Sequence, residues 1–181
     1  MNIVAIVGSL RKDSYNRKIA EFMKNRYKEK MDIEILNIGN LPLFSEDIED
    51  DPPTVVKEFK NQIKSSEGIL FVTPEYNHSI PGALKNALDW CSRVDRVMKD
   101  KPTFIVGASN GNVGTARCQA HLRQVLNSGG ISAIDLPGNQ ILIANVQDHF
   151  DKEGNFIDER TIKYLDRVVD NYIKWAEKLK S

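Results

Sequence analysis

Three short segments of the chain carry side chains whose types and spacing suit ligand chemistry. The first is Gly8-Ser9-Leu10-Arg11-Lys12-Asp13-Ser14-Tyr15-Asn16, which closes an apolar run and leads into a helical pattern. Ser9, Ser14 and Asn16 supply neutral donors and Arg11 a forked cation. The start of a helix adds unpaired N–H groups and partial positive charge, so the whole suits a phosphate. A simple cap by Asp13 or Ser14 accounts for one of these groups, but not for Ser-x-Arg-x-x-Ser-x-Asn within one turn. Neither GxGxxG nor GxxxxGK(S/T) is present, which leaves the dinucleotide fingerprint and the nucleotide-hydrolysing loop unsupported.

The second segment, Pro74-Glu75-Tyr76-Asn77-His78-Ser79-Ile80-Pro81-Gly82, sets a tyrosine beside an asparagine between prolines. Such a stiff turn offers a flat aromatic surface and amide hydrogen bonds to a planar heterocycle. The competing reading is an ordinary turn whose Tyr76 packs on a neighbouring helix. The third segment, Ser109-Asn110-Gly111-Asn112-Val113-Gly114, is a glycine-rich turn whose backbone can approach a ligand closely. A tight turn with no ligand is its alternative. Elsewhere the reactive side chains are scattered. His78, His121 and His149 form no HExxH or Cys/His cluster, so no metal site is expected. Cys118 follows Arg117, which lowers a thiol's pKa when it lies close, but its helical setting suits a packed small residue. There is no GxSxG elbow, and no catalytic acid, base or nucleophile is nominated. A ligand cradle without such groups points to a cofactor that carries the reaction itself.

The elements that must position these segments alternate in period. Apolar runs predict strands at 3–7, 33–38, 69–72, 103–108 and 131–136, with 141–143 as an addition. Helical stripes lie between them: Ile19, Phe22, Met23 and Tyr27; a helix over 54–64; then Leu84, Ala87, Leu88, Cys91, Val94 and Met98 after Pro81. A fourth helix is expected over 114–127, and a last one carries Ile162, Leu165, Val168, Val169, Tyr172, Ile173 and Ala176. Alternating strands and helices form an open parallel sheet covered on both faces. In such a sheet ligands bind beyond the carboxyl ends of the strands, where all three segments fall.

The 181 residues hold 25 basic and 25 acidic side chains, 41% hydrophobic residues and no net charge. That balance excludes a disordered tail and a nucleic-acid-binding arm, and it predicts a single domain over 1–181. No apolar run reaches the roughly 20 residues of a membrane span. Met1-Asn2-Ile3 has no basic region typical of a signal peptide, and Cys91 and Cys118 form no CxxC pair, so a reducing, cytoplasmic setting is expected. The acidic run at 46–51 reads as a solvated loop.

Taken together, Gly8-Ser9-Leu10-Arg11 with Ser14 and Asn16, and Thr73-Pro74-Glu75-Tyr76-Asn77 running through Gly82-Ala83-Leu84-Lys85-Asn86-Ala87-Leu88-Asp89-Trp90, resemble the NADPH-dependent FMN reductase family. Gly114-Thr115-Ala116-Arg117-Cys118-Gln119 with His121-Leu122-Arg123-Gln124 is similar to its quinone, chromate and azo-dye reductase branch. The resemblance implies a flavodoxin-like fold, a five-stranded parallel sheet in the order 2-1-3-4-5. It further implies FMN as cofactor, NADPH or NADH as co-substrate, and homodimers or homotetramers. Ser9, Arg11, Ser14 and Asn16 would hold the FMN phosphate. Pro74, Glu75, Tyr76 and Asn77 would border the isoalloxazine ring, and Ser109 and Gly111 would close its other side through backbone donors. Thr115 stands where many relatives carry glycine.

The expected activity is hydride transfer from a nicotinamide through FMN to a quinone, flavin, azo or chromate-like acceptor in two half-reactions. A flavodoxin-type electron carrier without its own turnover is the alternative, although such carriers tend to be acidic and this chain is neutral. A protein binding some other phosphorylated ligand without redox function is a third reading.

Overall fold

The computed structural model describes residues 1–180. Strands β1 (Asn2–Val7), β2 (Asp32–Leu36), β3 (Gly68–Thr73), β4 (Pro102–Ala108), β5 (Ile134–Asp135) and β6 (Ile141–Ile143) alternate with helices. The helices are α1 (Tyr15–Arg26), α2 (Thr54–Ser65), α3 (Gly82–Ser92), α4 (Ala116–Leu126) and α5 (Glu159–Leu179). The sheet runs β2-β1-β3-β4-β5, with β6 also on β4, and every pairing is parallel. This is the flavodoxin-like order that the family resemblance implies for five strands, with β6 as a sixth.

β3 and β4 are buried along their whole length, and β1 beyond its first residue, because helices cover both faces. On one face α1 and α5 lay Ile19, Met23, Leu165, Val169 and Tyr172 over Ala5, Leu70 and Phe104. On the other, α2 to α4 bring Phe59, Ile63, Leu88, Trp90 and Leu122 against Ile6, Phe71 and Ile105. The two sets alternate along each strand, as the pleat requires. No helix among the described residues is long and apolar enough to cross a membrane.

Several boundaries differ from the sequence pattern, each for a local reason. The expected strand at 131–136 shrinks to β5. Ser132 adopts φ 50 and its N–H bonds back to Ser128, so 131–133 is a turn that still buries Ile131. The lane beside β4 is then filled by two strands in series. β5 pairs with Pro102 and Thr103, the chain breaks at Pro137 and Gly138 (φ 72), and β6 pairs with Val106 to Ala108. The helix after Pro81 stops at Ser92, so Val94 and Met98 are not on its stripe. Lys60 Nζ bonds the Arg93 carbonyl at 3.1 Å, Val94 is exposed, and Met98 is buried from the turn beyond. α4 begins at Ala116 because Gly114 (φ 58) and Thr115 (φ 71) are both left-handed. In the acidic loop, Arg93 bridges Glu49 at 2.7 Å and Glu46 at 3.4 Å, tying that loop to the end of α3.

Candidate functional site

Tight packing at the ends of β1 and β3 places the first loop. The Gly8 N–H bonds the Val72 carbonyl at 2.9 Å, and a Cβ on Gly8 would come within 2.6 Å of Thr73 Oγ1. The chain then turns into α1. Ser14 is the N-cap, and its hydroxyl accepts from the Arg17 N–H at 3.3 Å. No described hydrogen bond engages the Tyr15 or Asn16 N–H, which leaves two donors at the positive end of the helix. The Arg11 guanidinium bonds the Asp13 carbonyl, lies 5.5 Å over the Tyr15 ring, and has no carboxylate partner among the described residues. Asn16 serves differently from the sequence reading. Its buried amide bonds both backbone groups of Ala108 at the end of β4, so only its N–H is available to a phosphate.

The second loop is a two-residue hairpin. Tyr76 and Ser79 exchange backbone hydrogen bonds at 3.1 and 3.0 Å around Asn77 (φ 50) and His78 (φ 63), the left-handed pair that a tight hairpin turn needs. Tyr76 stands at the surface. It is 48% exposed and its hydroxyl reaches to 3.5 Å from Ser9 Oγ across the mouth of the site. Glu75 turns away toward α4, where its carboxylate accepts from the Cys118 N–H at 2.9 Å and from Arg117 at 3.3 Å. It therefore compensates a helix start that has no side-chain cap of its own. Cys118 is buried against the Pro74 carbonyl, and burial pushes its thiol up to about 11.

The third loop leans on β6. The Ser109 N–H donates to the Ile143 carbonyl at 3.0 Å, so it is not a free donor. Asn145 and Val146 bond the Gly111 and Ser109 carbonyls at 3.2 and 3.1 Å. Those contacts fix the loop while the N–H groups of Asn110 to Val113 stay unengaged.

The three loops enclose a cavity of about 250 Å³ lined by Ser9, Arg11, Ser14, Asn16, Pro74, Glu75, Tyr76 and Ser109. Asn77 and Gly111 lie outside that lining. Tyr15, Ala108, Asn110 and Val146 complete it. Tyr15 and Asn110 stood inside motifs already singled out, whereas Val146 carried no signal. Larger hollows, such as one of about 890 Å³ between β6 and α5, do not involve these loops. Among the described residues no three His, Cys, Asp or Glu side chains converge as metal ligands.

The donors fit an FMN phosphate: two free helix-start amides, the Ser9 hydroxyl and an arginine without a counter-charge, with an exposed aromatic beside them. Fold and site thus define a flavodoxin-like α/β protein with its candidate ligand groups at the β1/β3 switch point. Residues 1–148 match the NADPH-dependent FMN reductase family, and the chain belongs to it. It is 41% identical over 182 residues to the NADH-dependent flavin reductase subunit 2 of Lactobacillus johnsonii, covering 98% of both chains. It is also 41% identical over 178 residues to a 2-hydroxy-1,4-benzoquinone reductase of a Burkholderia species, covering 97% of this chain and 96% of that one. FerB, a flavoenzyme NAD(P)H:(acceptor) oxidoreductase from Paracoccus denitrificans, matches in structure with a TM-score of 0.88 at 34% identity, over 98% of this chain and 97% of that one. The protein is an oxidoreductase of the FMN-dependent class that uses NAD(P)H. That membership sets aside the electron carrier without turnover and the non-redox binder.

Proposed function

We propose that this enzyme oxidises NAD(P)H and reduces a quinone or free flavin by a ping-pong exchange, with azo and chromate-like compounds as further acceptors. When bound, FMN supplies the hydride chemistry, accepting from the nicotinamide and donating to the acceptor that replaces it. Ser9, Arg11, the capped turn at Ser14 and the Tyr15 and Asn16 N–H groups hold the phosphate. Pro74, Glu75, Tyr76 and Asn77 border the ring, Glu75 by its backbone because its carboxylate is engaged on α4. Gly111 and its neighbours would supply free N–H groups to the edge where negative charge grows, and Ser109 keeps that loop on β6. The protein's share of the rate is position and electrostatics, with no side chain acting as acid or base. Tyr76 and Val113 are 48% and 44% exposed, so a ring held between their loops would have an outer side open to solvent in one chain. A second copy, in a homodimer or homotetramer, would cover it.

The observation that carries this reading is Arg11, without a carboxylate partner among the described residues, beside two free helix-start amides. Replacing Arg11 by Ala weakens FMN binding by roughly tenfold to a hundredfold, the worth of a charge-assisted hydrogen bond. Hydride transfer in flavin-saturated enzyme changes little. Fluorescence titration of the flavin-free protein measures the first effect, and equal affinity in variant and parent removes the phosphate role. Anaerobic mixing of the yellow protein with NADPH and then a quinone tests the two half-reactions.

A further inference from the structure

The hairpin bearing Tyr76 is held from outside at both ends by one helix. At its near end Glu75 bonds the Cys118 N–H at 2.9 Å and Arg117 at 3.3 Å. At its far end Ser79 Oγ lies 2.8 Å from His121 Nδ1, one turn further along α4. Between these two ties stand Asn77 and His78, both at positive φ as the two-residue turn requires, so the two ties reach the hairpin on either side of its tip. The same helix begins directly from the third loop, through Gly114 and Thr115. The first two turns of α4 therefore join both loops that border the cavity, and they set how far apart those loops stand.

We propose that His121 is a positioning residue of the flavin site. Through Ser79 it holds the Tyr76 hairpin at a fixed distance from the Asn110–Val113 amides, so that a planar ring fits between them. This rests on the FMN reading above and adds a residue outside the cavity lining to its machinery. The requirement is for the Nδ1 position, because that atom meets Ser79. An asparagine places its amide near Nδ1 and a glutamine near Nε2, so Asn should substitute and Gln should not. His121 is exposed, and its replacement leaves the buried core intact.

The experiment titrates the flavin-free protein with FMN and with riboflavin, which has the ring but no phosphate, and records the visible spectrum of the bound flavin. His121→Ala is expected to weaken both ligands by the same factor, about threefold to tenfold, the worth of one hydrogen bond. It should also shift the spectrum and raise KM for the acceptor more than it lowers kcat. Ser79→Ala should match it, and the double variant should be no weaker than either single one. His121→Asn restores the parent values and His121→Gln does not. Parent-like binding and spectrum in His121→Ala, or equal rescue by Asn and Gln, overturns the proposal. Arg11→Ala, run alongside, weakens FMN but not riboflavin if the phosphate reading holds. Its failure to do so marks failure of that reading, whereas an effect of Arg11→Ala with none of His121→Ala marks failure of this one alone.

Discussion

Asn16→Ala removes the amide that satisfies both backbone groups of Ala108. Asn16 Nδ2 donates to the Ala108 carbonyl at 2.9 Å, and the Ala108 N–H donates to Asn16 Oδ1 at 3.1 Å. Ala108 ends β4 one position beyond the last β3–β4 pair, Thr73 with Gly107, so β3 offers no replacement partner there. Asn16 is 4% exposed and Ala108 1% exposed, so water reaches the orphaned groups poorly. A buried polar group stripped of its partner costs about 1–3 kcal/mol, and the pair together about 2–4 kcal/mol. For a chain of this length that lowers Tm by on the order of 10 °C. Thermal and urea melts of the flavin-free protein measure it. Asn16→Asp, nearly the same shape, sets an oxygen against the Ala108 carbonyl and is expected to recover little of the loss at neutral pH. Flavin-free Asn16→Ala as stable as the parent would refute the pin. If FMN binding alone weakened, the amide would return to the phosphate.

Three further outcomes follow from particular contacts. A Cβ on Gly107 would overlap Thr115 Oγ1 and lie 2.9 Å from its Cβ, so Gly107→Ala destabilises by about 1–3 kcal/mol in the parent. It costs less in a Thr115→Gly background, and a double-mutant cycle of urea midpoints reads the coupling. Both thiols are buried and burial raises both pKa values, that of Cys118 to about 11. Iodoacetamide at pH 8 is therefore expected to leave the native chain unmodified and to alkylate both cysteines after unfolding, as mass spectrometry would show. Asp166 bonds Arg26 at 2.7 and 2.8 Å and Tyr27 at 3.0 Å, and the Arg26 guanidinium holds its carboxyl below the ordinary value. A depressed acid stabilises the fold above its unfolded pKa, and that contribution disappears as pH falls through the folded value. Asp166→Asn should then be less stable than the parent at pH 7 and low salt, with the gap closing toward acid and shrinking in salt.

The fold was legible because its signal is dense and local. Continuous apolar runs at β1, β3 and β4 are too short for buried helices and suit strands buried on both faces, and amphipathic stripes between them supply helices for each side. Where legibility failed, a single backbone choice outweighed the pattern. The apolar residues at 131, 133 and 134 suggested a longer strand, yet Ser132 in the left-handed region converts part of that stretch to a turn. Val94 and Met98 continued the stripe of α3 in number, but the Arg93 carbonyl is taken by Lys60, which lies 33 positions earlier. Partners at such separations leave no trace in a helical period.

The site divides along the same line. Residue type and position on the sheet edge singled out three loops that meet, and eight of the named residues line one cavity. What type alone leaves open is how each polar group spends its hydrogen bonds. Asn16 looks like a phosphate donor until its amide is found on Ala108, 92 positions away, and Glu75 looks like a ring neighbour until its carboxylate is found on Cys118. Ser109 looks like a free backbone donor until β6 claims its N–H. Each of these side chains or amides joins one of the three loops to a distant element, and for an FMN held as proposed the remaining donors, beside Ser9 and Arg11, are backbone N–H groups that such ties immobilise. A cradle made chiefly of backbone donors tolerates change in its own side chains better than in the tying residues. Substitutions at Asn16, Glu75 and His121 should thus disturb flavin binding more than those at Asn77 or Asn112, and alanine scanning of the five positions by flavin titration would rank them.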